Sequence, residues 1–105
     1  MTVFAIKEPD IQVPADEKTL MHVFGLSPME ARFLQAMLVR DWVGRRELPE
    51  VKYSIRQVIY TLRMKLEGKG IIIINDAAGR YSIPPRSKEV ARGRIEEALA
   101  LGGTP

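Results

Sequence analysis

The chain has 105 residues, 46% hydrophobic and 28% charged, and its 16 Lys and Arg against 13 Asp and Glu leave a net charge of +3. That length predicts one domain with a modest core, and the lack of cysteine excludes a disulfide framework or a thiolate metal site. No apolar run approaches the roughly 18 residues a transmembrane helix needs, and the opening MTVFAIKEPD lacks the basic and apolar regions of a secretory signal.

The charge is unevenly spread. Residues 1–39 carry three basic and five acidic side chains, whereas residues 40–105 carry thirteen basic and eight acidic. A net of +5 in the second part fits a polyanionic partner; surplus surface lysines that only serve solubility are the plain alternative.

Residues 1–15 read as an N-terminal arm. TVFAI could form a short strand, and Pro9 and Pro14 interrupt the rest. From Asp16 to Phe24, Leu20, Val23 and Phe24 fall on one face of a short helix. Gly25 and Leu26 then have the sequence form of a Schellman ending. His22, the only histidine, has no second ligand type nearby and reads as a surface or boundary residue.

Ser27-Pro28-Met29-Glu30 is a capping box with proline at the first helical position. It predicts a helix from Pro28 to about Arg40, broadly apolar through Met29, Phe33, Leu34, Ala36, Met37 and Leu38 and therefore largely buried. Asp41–Gly44 is a connector with Trp42 and Val43 as apolar anchors, Trp42 by packing. Arg45 to Glu50 reads as a second helix that holds Leu48 inward, short or distorted because Pro49 is tolerable only near its first turn.

Ser54, with Gln57 three residues later, repeats the capping pattern. Ile55, Val58, Ile59, Leu62 and Leu66 share an arc of about 100° at 100° per residue. The opposite face carries Gln57, Tyr60, Thr61 and Met64, and Gly68 and Gly70 stop the helix. Four isoleucines, Ile71–Ile74, read as a buried strand. Asn75–Gly79 is a turn, and Arg80–Ile83 returns until Pro84-Pro85 ends the pairing. Tyr81 and Ile83 share one strand face, Arg80 and Ser82 the other. Ser87 is placed to cap a last helix, Lys88 to about Leu101, weakened by Gly93 and stopped by Gly102-Gly103. That helix either folds back on its own chain or serves assembly with a second copy.

Helix, helix, helix, hairpin is the order of a winged helix-turn-helix. The expected fold is mainly α with a small β-hairpin: a three-helix core plus wing over residues 16–85, and an extra C-terminal helix and tail over 86–105. LSPMEARFLQAML (Leu26–Leu38) resembles the opening helix of the OmpR/PhoB-type response-regulator effector domain. SIRQVIYTLRMKL (Ser54–Leu66) resembles its recognition helix at Ile59, Leu62, Arg63, Lys65 and Leu66. GRYSI (Gly79–Ile83) resembles the end of its wing. The resemblance covers residues 24–84, without a receiver domain and without room for the family's N-terminal sheet. It implies a third helix in the DNA major groove, with the wing near the minor groove or backbone. The second helix and the loop after it are shortened here, so activation through that loop does not carry over.

On this reading Arg56, Gln57, Tyr60 and Thr61 are the candidates for base readout. Arg45, Arg46, Lys52, Arg63, Lys65, Lys69 and Arg80 are the candidates for DNA backbone or wing contacts. The alternatives are a solvated helix face and, for the whole domain, a winged-helix protein-interaction module that does not read DNA. No Gly-rich phosphate loop, metal-ligand spacing or nucleophile–base set occurs, so neither an enzyme nor a cofactor is expected. The expected role is a bacterial-type transcription regulator in the cytoplasm, associated with the nucleoid. Double-stranded DNA is its expected partner, with a homodimer on DNA and RNA polymerase as further candidates and no membrane.

Overall fold

A computed structural model describes residues 15–52 and 54–101. The expected arm (1–14) and the glycine stop after the last helix lie outside the described residues. Four helices and a small antiparallel hairpin follow in the order α1 (Glu17–Phe24), α2 (Pro28–Val39), α3 (Ile55–Glu67), β1 (Ile74–Asn75), β2 (Tyr81–Ser82) and α4 (Pro85–Ala100), with one 3₁₀ turn at Arg45–Glu47 between α2 and α3.

The helix ends follow the local chemistry of the sequence. Asp16 accepts from the Thr19 amide at 2.8 Å. Gly25 takes the left-handed φ of 66° that lets both its own amide and that of Leu26 bond back to the Met21 carbonyl. At α2 the capping box forms in both directions: the Glu30 amide donates to Ser27 Oγ at 3.2 Å and the Ser27 amide to Glu30 Oε1 at 2.9 Å. Ala31, Phe33, Leu34, Met37 and Leu38 are all fully buried, as the breadth of the apolar stripe predicts. At α3 only the Ser54 half of the pattern is seen among the described residues, a 3.4 Å bond from the Gln57 amide.

The connector and second helix differ from expectation. Val43 alone is buried there; Trp42 is 37% exposed, so it is not the packing anchor the sequence suggests. Val43 instead exchanges two 2.8 Å backbone bonds with Tyr81, which adds a one-residue third strand beside β2. The helix expected over Arg45–Glu50 is a single 3₁₀ turn. Leu48, which precedes Pro49, is extended at φ −95°, ψ 150°, because the proline ring disfavours helical backbone in the residue before it.

The strand expected over Ile71–Ile74 pairs only at its end. The Ile71 amide donates to the Leu66 carbonyl, the Ile72 amide to Ser87 Oγ, and the Ile73 carbonyl accepts from Arg63. These three backbone groups bond to helices and not to a neighbouring strand, and the ladder starts only at Ile74. The run is not uniformly buried either. Ile71 and Ile73 point into the core while Ile72 and Ile74 are exposed, the period-two alternation of an extended chain. In the returning strand Ile83 is buried and Tyr81 half-buried, but Ser82, expected on the other face, is buried as well, with its hydroxyl donating to the Asp41 carbonyl.

The last helix begins earlier than expected, at Pro85. Ser87 lies inside its first turn and bonds to Ile72 instead of capping. Lys88 is 4% exposed, and its ammonium donates to the Arg40 carbonyl at 2.8 Å, where the C-terminal end of α2 offers a favourable negative dipole. Ala91 and Ile95 enter the same core as Leu20, Phe24 and Leu66. Residues 85–100 thus close the core of their own chain. Replacing Ile95 with Ala is expected to cost about 2–5 kcal/mol by the cavity it leaves. Leu101→Ala, on an exposed side chain, should stay within about 0.5 kcal/mol. Equilibrium urea unfolding of the two variants checks both.

Candidate nucleic-acid interface

Ile59, Leu62 and Leu66 bury one side of α3. At 100° per residue the opposite direction passes between Gln57 and Met64, with Tyr60 and Thr61 about 50° to either side. Tyr60 and Met64 are 60% and 61% exposed, Gln57 is exposed and Thr61 is half-buried. The Thr61 hydroxyl is already engaged, bonded to the carbonyls of Gln57 and Val58 at 3.3 and 3.0 Å. An amide, a phenol and a thioether therefore make up the accessible chemistry of this face.

The hairpin lies along one flank of α3, held by Arg63. Its Nε and Nη2 donate to the Ile73 carbonyl at 3.1 and 3.0 Å, and Nη2 also reaches Asn75 Oδ1 at 3.2 Å. The turn beyond β1 is set by Asp76. Its Oδ1 accepts from the amides of Ala78 and Arg80 at 3.0 and 2.8 Å, and Gly79 supplies the φ of 82° the turn requires. The Arg80 guanidinium pairs with Asp76 Oδ2 at 2.7 Å and lies 5.5 Å over the Trp42 ring. Bonding from the Arg80 backbone amide, joined by that guanidinium, holds the Asp76 carboxyl below the usual aspartate range.

All but one of the sequence-predicted cations fall into two groups. Arg63, Lys65 and Arg80 are engaged within the chain; Lys65 pairs with Glu30 at 2.7 Å. Arg45, Arg46, Lys52 and Arg56 are exposed, and among the described residues no ion pair or hydrogen bond occupies their side chains. Arg45 and Arg56 line a groove of about 340 Å³ with Ser54, Ile55, Gly79 and Tyr81, between the start of α3 and the hairpin turn. Lys52 lines a second groove with Gln57 and Thr61 on the α2 side. Lys69 is half-buried at the far end of α3, away from both, and its carbonyl accepts from Arg94 Nε at 3.0 Å.

Sequence reasoning missed the Trp42–Arg80 stack and the Val43 bridge, because both depend on the hairpin folding back over the connector. The internal role of Arg63 is equally invisible, since its acceptor is a backbone carbonyl. Among the described residues, no group of His, Asp or Glu side chains could hold a metal ion, and no helix is long and apolar enough to cross a membrane.

No protein-family model matches the chain, and no solved structure matches it. Two curated relatives do. The chain is 34% identical over 80 residues to the transcriptional regulator MraZ of Xanthomonas oryzae pv. oryzae, an alignment that spans 76% of this chain and 53% of that protein. It is 31% identical over 81 residues to the transcriptional regulator MraZ of Xylella fastidiosa, spanning 76% and 55%. The chain spans about half the length of these relatives, and neither carries an OmpR/PhoB-type name.

Glu30 joins the cap of α2 to α3. Burial alone would push its carboxyl up; the Lys65 ammonium and the Ser27 amide outweigh that and hold it below the ordinary glutamate range. A depressed folded-state pKa means the stabilisation is complete above the unfolded value and is lost as pH falls through the folded one. Acid titration of stability should therefore show a loss in the range below the ordinary glutamate pKa. Glu30→Gln should be less stable at neutral pH and should lack that part of the acid dependence, as measured by melting temperature against pH.

Proposed function

We propose that this chain is a sequence-specific double-stranded DNA-binding module of a transcriptional regulator, with the arrangement of a winged helix-turn-helix. The observation that carries this reading is the outer face of α3. Its polar and aromatic side chains project beside a hairpin clamped to the same helix, with exposed arginines at the helix start. A helix about 10–12 Å across fits a major groove about 12 Å wide. In such docking the early residues of the helix reach base edges, which favours Arg56 and Gln57 for readout with Tyr60 and Thr61 beside them. Arg45, Arg46, Lys52 and Lys69 are the phosphate contacts in this reading, and the hairpin with Arg80 is the wing. Arg63 and Lys65, engaged inside the chain, act mainly by fixing geometry. The names of the two relatives support a role in transcription. One module of this size would bury only about 600–1,000 Å² on DNA, so two copies on a repeated site would gain by effective concentration.

A protein-binding role is favoured by one observation, the large exposed Tyr60 and Met64 side chains. Salt separates the two readings. If about five phosphates are neutralised, log affinity for duplex DNA should fall with log salt at a slope of about −4.5. A flat response, or no binding at low salt, favours the protein-binding role. Gln57→Ala should lose roughly 1–3 kcal/mol on the preferred site and much less on random duplex. Equal losses on both would remove Gln57 from base readout, as fluorescence anisotropy on the two duplexes would detect.

A further inference from the structure

We infer that the outer face of α3 selects A·T base pairs, and does so largely through the C5-methyl groups of thymine. The inference rests on the DNA-binding reading above and specifies the class of site that reading leaves open.

Reading guanine in the major groove calls for an Arg or Lys aimed at O6 and N7, and reading cytosine calls for a carboxylate at N4. Within about 50° of the outward direction of α3 stand Gln57, Tyr60, Thr61 and Met64, none of them charged. Two of the nearby cations are held within the chain. The Arg63 guanidinium is held by the Ile73 carbonyl and Asn75, and the Lys65 ammonium is held by Glu30 at 2.7 Å. Arg56 is exposed and unpaired among the described residues, but it lies about 90° round the helix, in the groove beside Arg45 and Gly79, so any base it reads is at the edge of the site and not under the outward face. Glu67 is about 70° off the outward direction, in the last position of the helix.

What remains matches A·T pairs. The Gln57 amide can donate to N7 and accept from N6 of adenine, while apolar groups pack on the thymine methyl. Tyr60 and Met64 are the most exposed apolar surface of the helix, and they stand one turn apart on the same side. With the Thr61 hydroxyl bonded to its own helix backbone, Thr61 offers little further hydrogen-bonding choice between bases.

The test begins with selection of duplexes from a random pool by the purified full chain, followed by resynthesis of the selected site with deoxyuridine for thymidine. This exchange removes only methyl groups. The expected site has an A·T core. Each methyl removed under Tyr60 or Met64 should weaken binding about fourfold, the fold-change equivalent to burying one methyl-sized group. Met64→Gln and Tyr60→Ser, both on exposed positions, should abolish the thymine–uracil difference while the melting temperature stays unchanged. A G·C core, or equal affinity for thymine and uracil duplexes with salt-dependent binding retained, overturns the inference and leaves the DNA-binding reading standing. No binding to any duplex at low salt overturns both.

Discussion

The contact between Arg63 and the Ile73 carbonyl decides what this small domain can present to a partner. A two-stranded hairpin with two paired residues on each strand has little stability of its own. Here it gains a position because a guanidinium on α3 reaches a carbonyl in the approach to β1 and an amide oxygen within it. The other anchors act at different points of the same segment. Ser87 takes the Ile72 amide, Val43 pairs with Tyr81, and Ser82 reaches Asp41. The hairpin is thus held from α3, from α4 and from the connector. Its geometry relative to α3 is fixed by the whole fold rather than by strand pairing.

Glu30 shows a related economy at the other flank of α3. One carboxylate satisfies the start of α2 and receives the Lys65 ammonium from α3. The pair has one largely buried member, so losing Lys65 leaves the Glu30 carboxylate poorly solvated, whereas Lys65 is exposed enough to be hydrated without its partner. In combination, Arg63 on one side and Lys65 on the other leave two of the cations along α3 already partnered within the chain. The chemistry of α3 is therefore more neutral than its sequence suggests.

That difference marks the boundary of what the sequence reveals. The starts of α2 and α3 and the stop of α1 were legible, because capping depends on residues within four positions of each other: Ser27 with Glu30, Ser54 with Gln57, Gly25 with Met21. The buried stripe of α3 was legible because helical period is local. The short second helix was misjudged because the constraint from Pro49 on Leu48 reaches further than the helix could absorb. The extent of β1 was misjudged because its backbone partners come from α3 and α4, distant in sequence. The same limit applies to the candidate interface. Which basic side chains already have a partner follows from tertiary pairing, and charge alone could not separate Arg56 from Arg63.

Five of the polar ties between distant parts of the chain share a feature with evolutionary weight. Arg63 to Ile73, Lys88 to Arg40, Arg94 to Lys69, Ser82 to Asp41 and Gln35 to Ala15 all end on main-chain carbonyls. A carbonyl is supplied by any residue, so the acceptor positions are free to change side chain without loss of the bond, while the donor positions are not. Mutational tolerance is therefore asymmetric across each tie. Ile73 is held by its place in the core, whereas exposed acceptor positions such as Arg40 and Asp41 can drift in composition while keeping their shape. Variation there would retune the surface beside α3 without disturbing the scaffold that presents it.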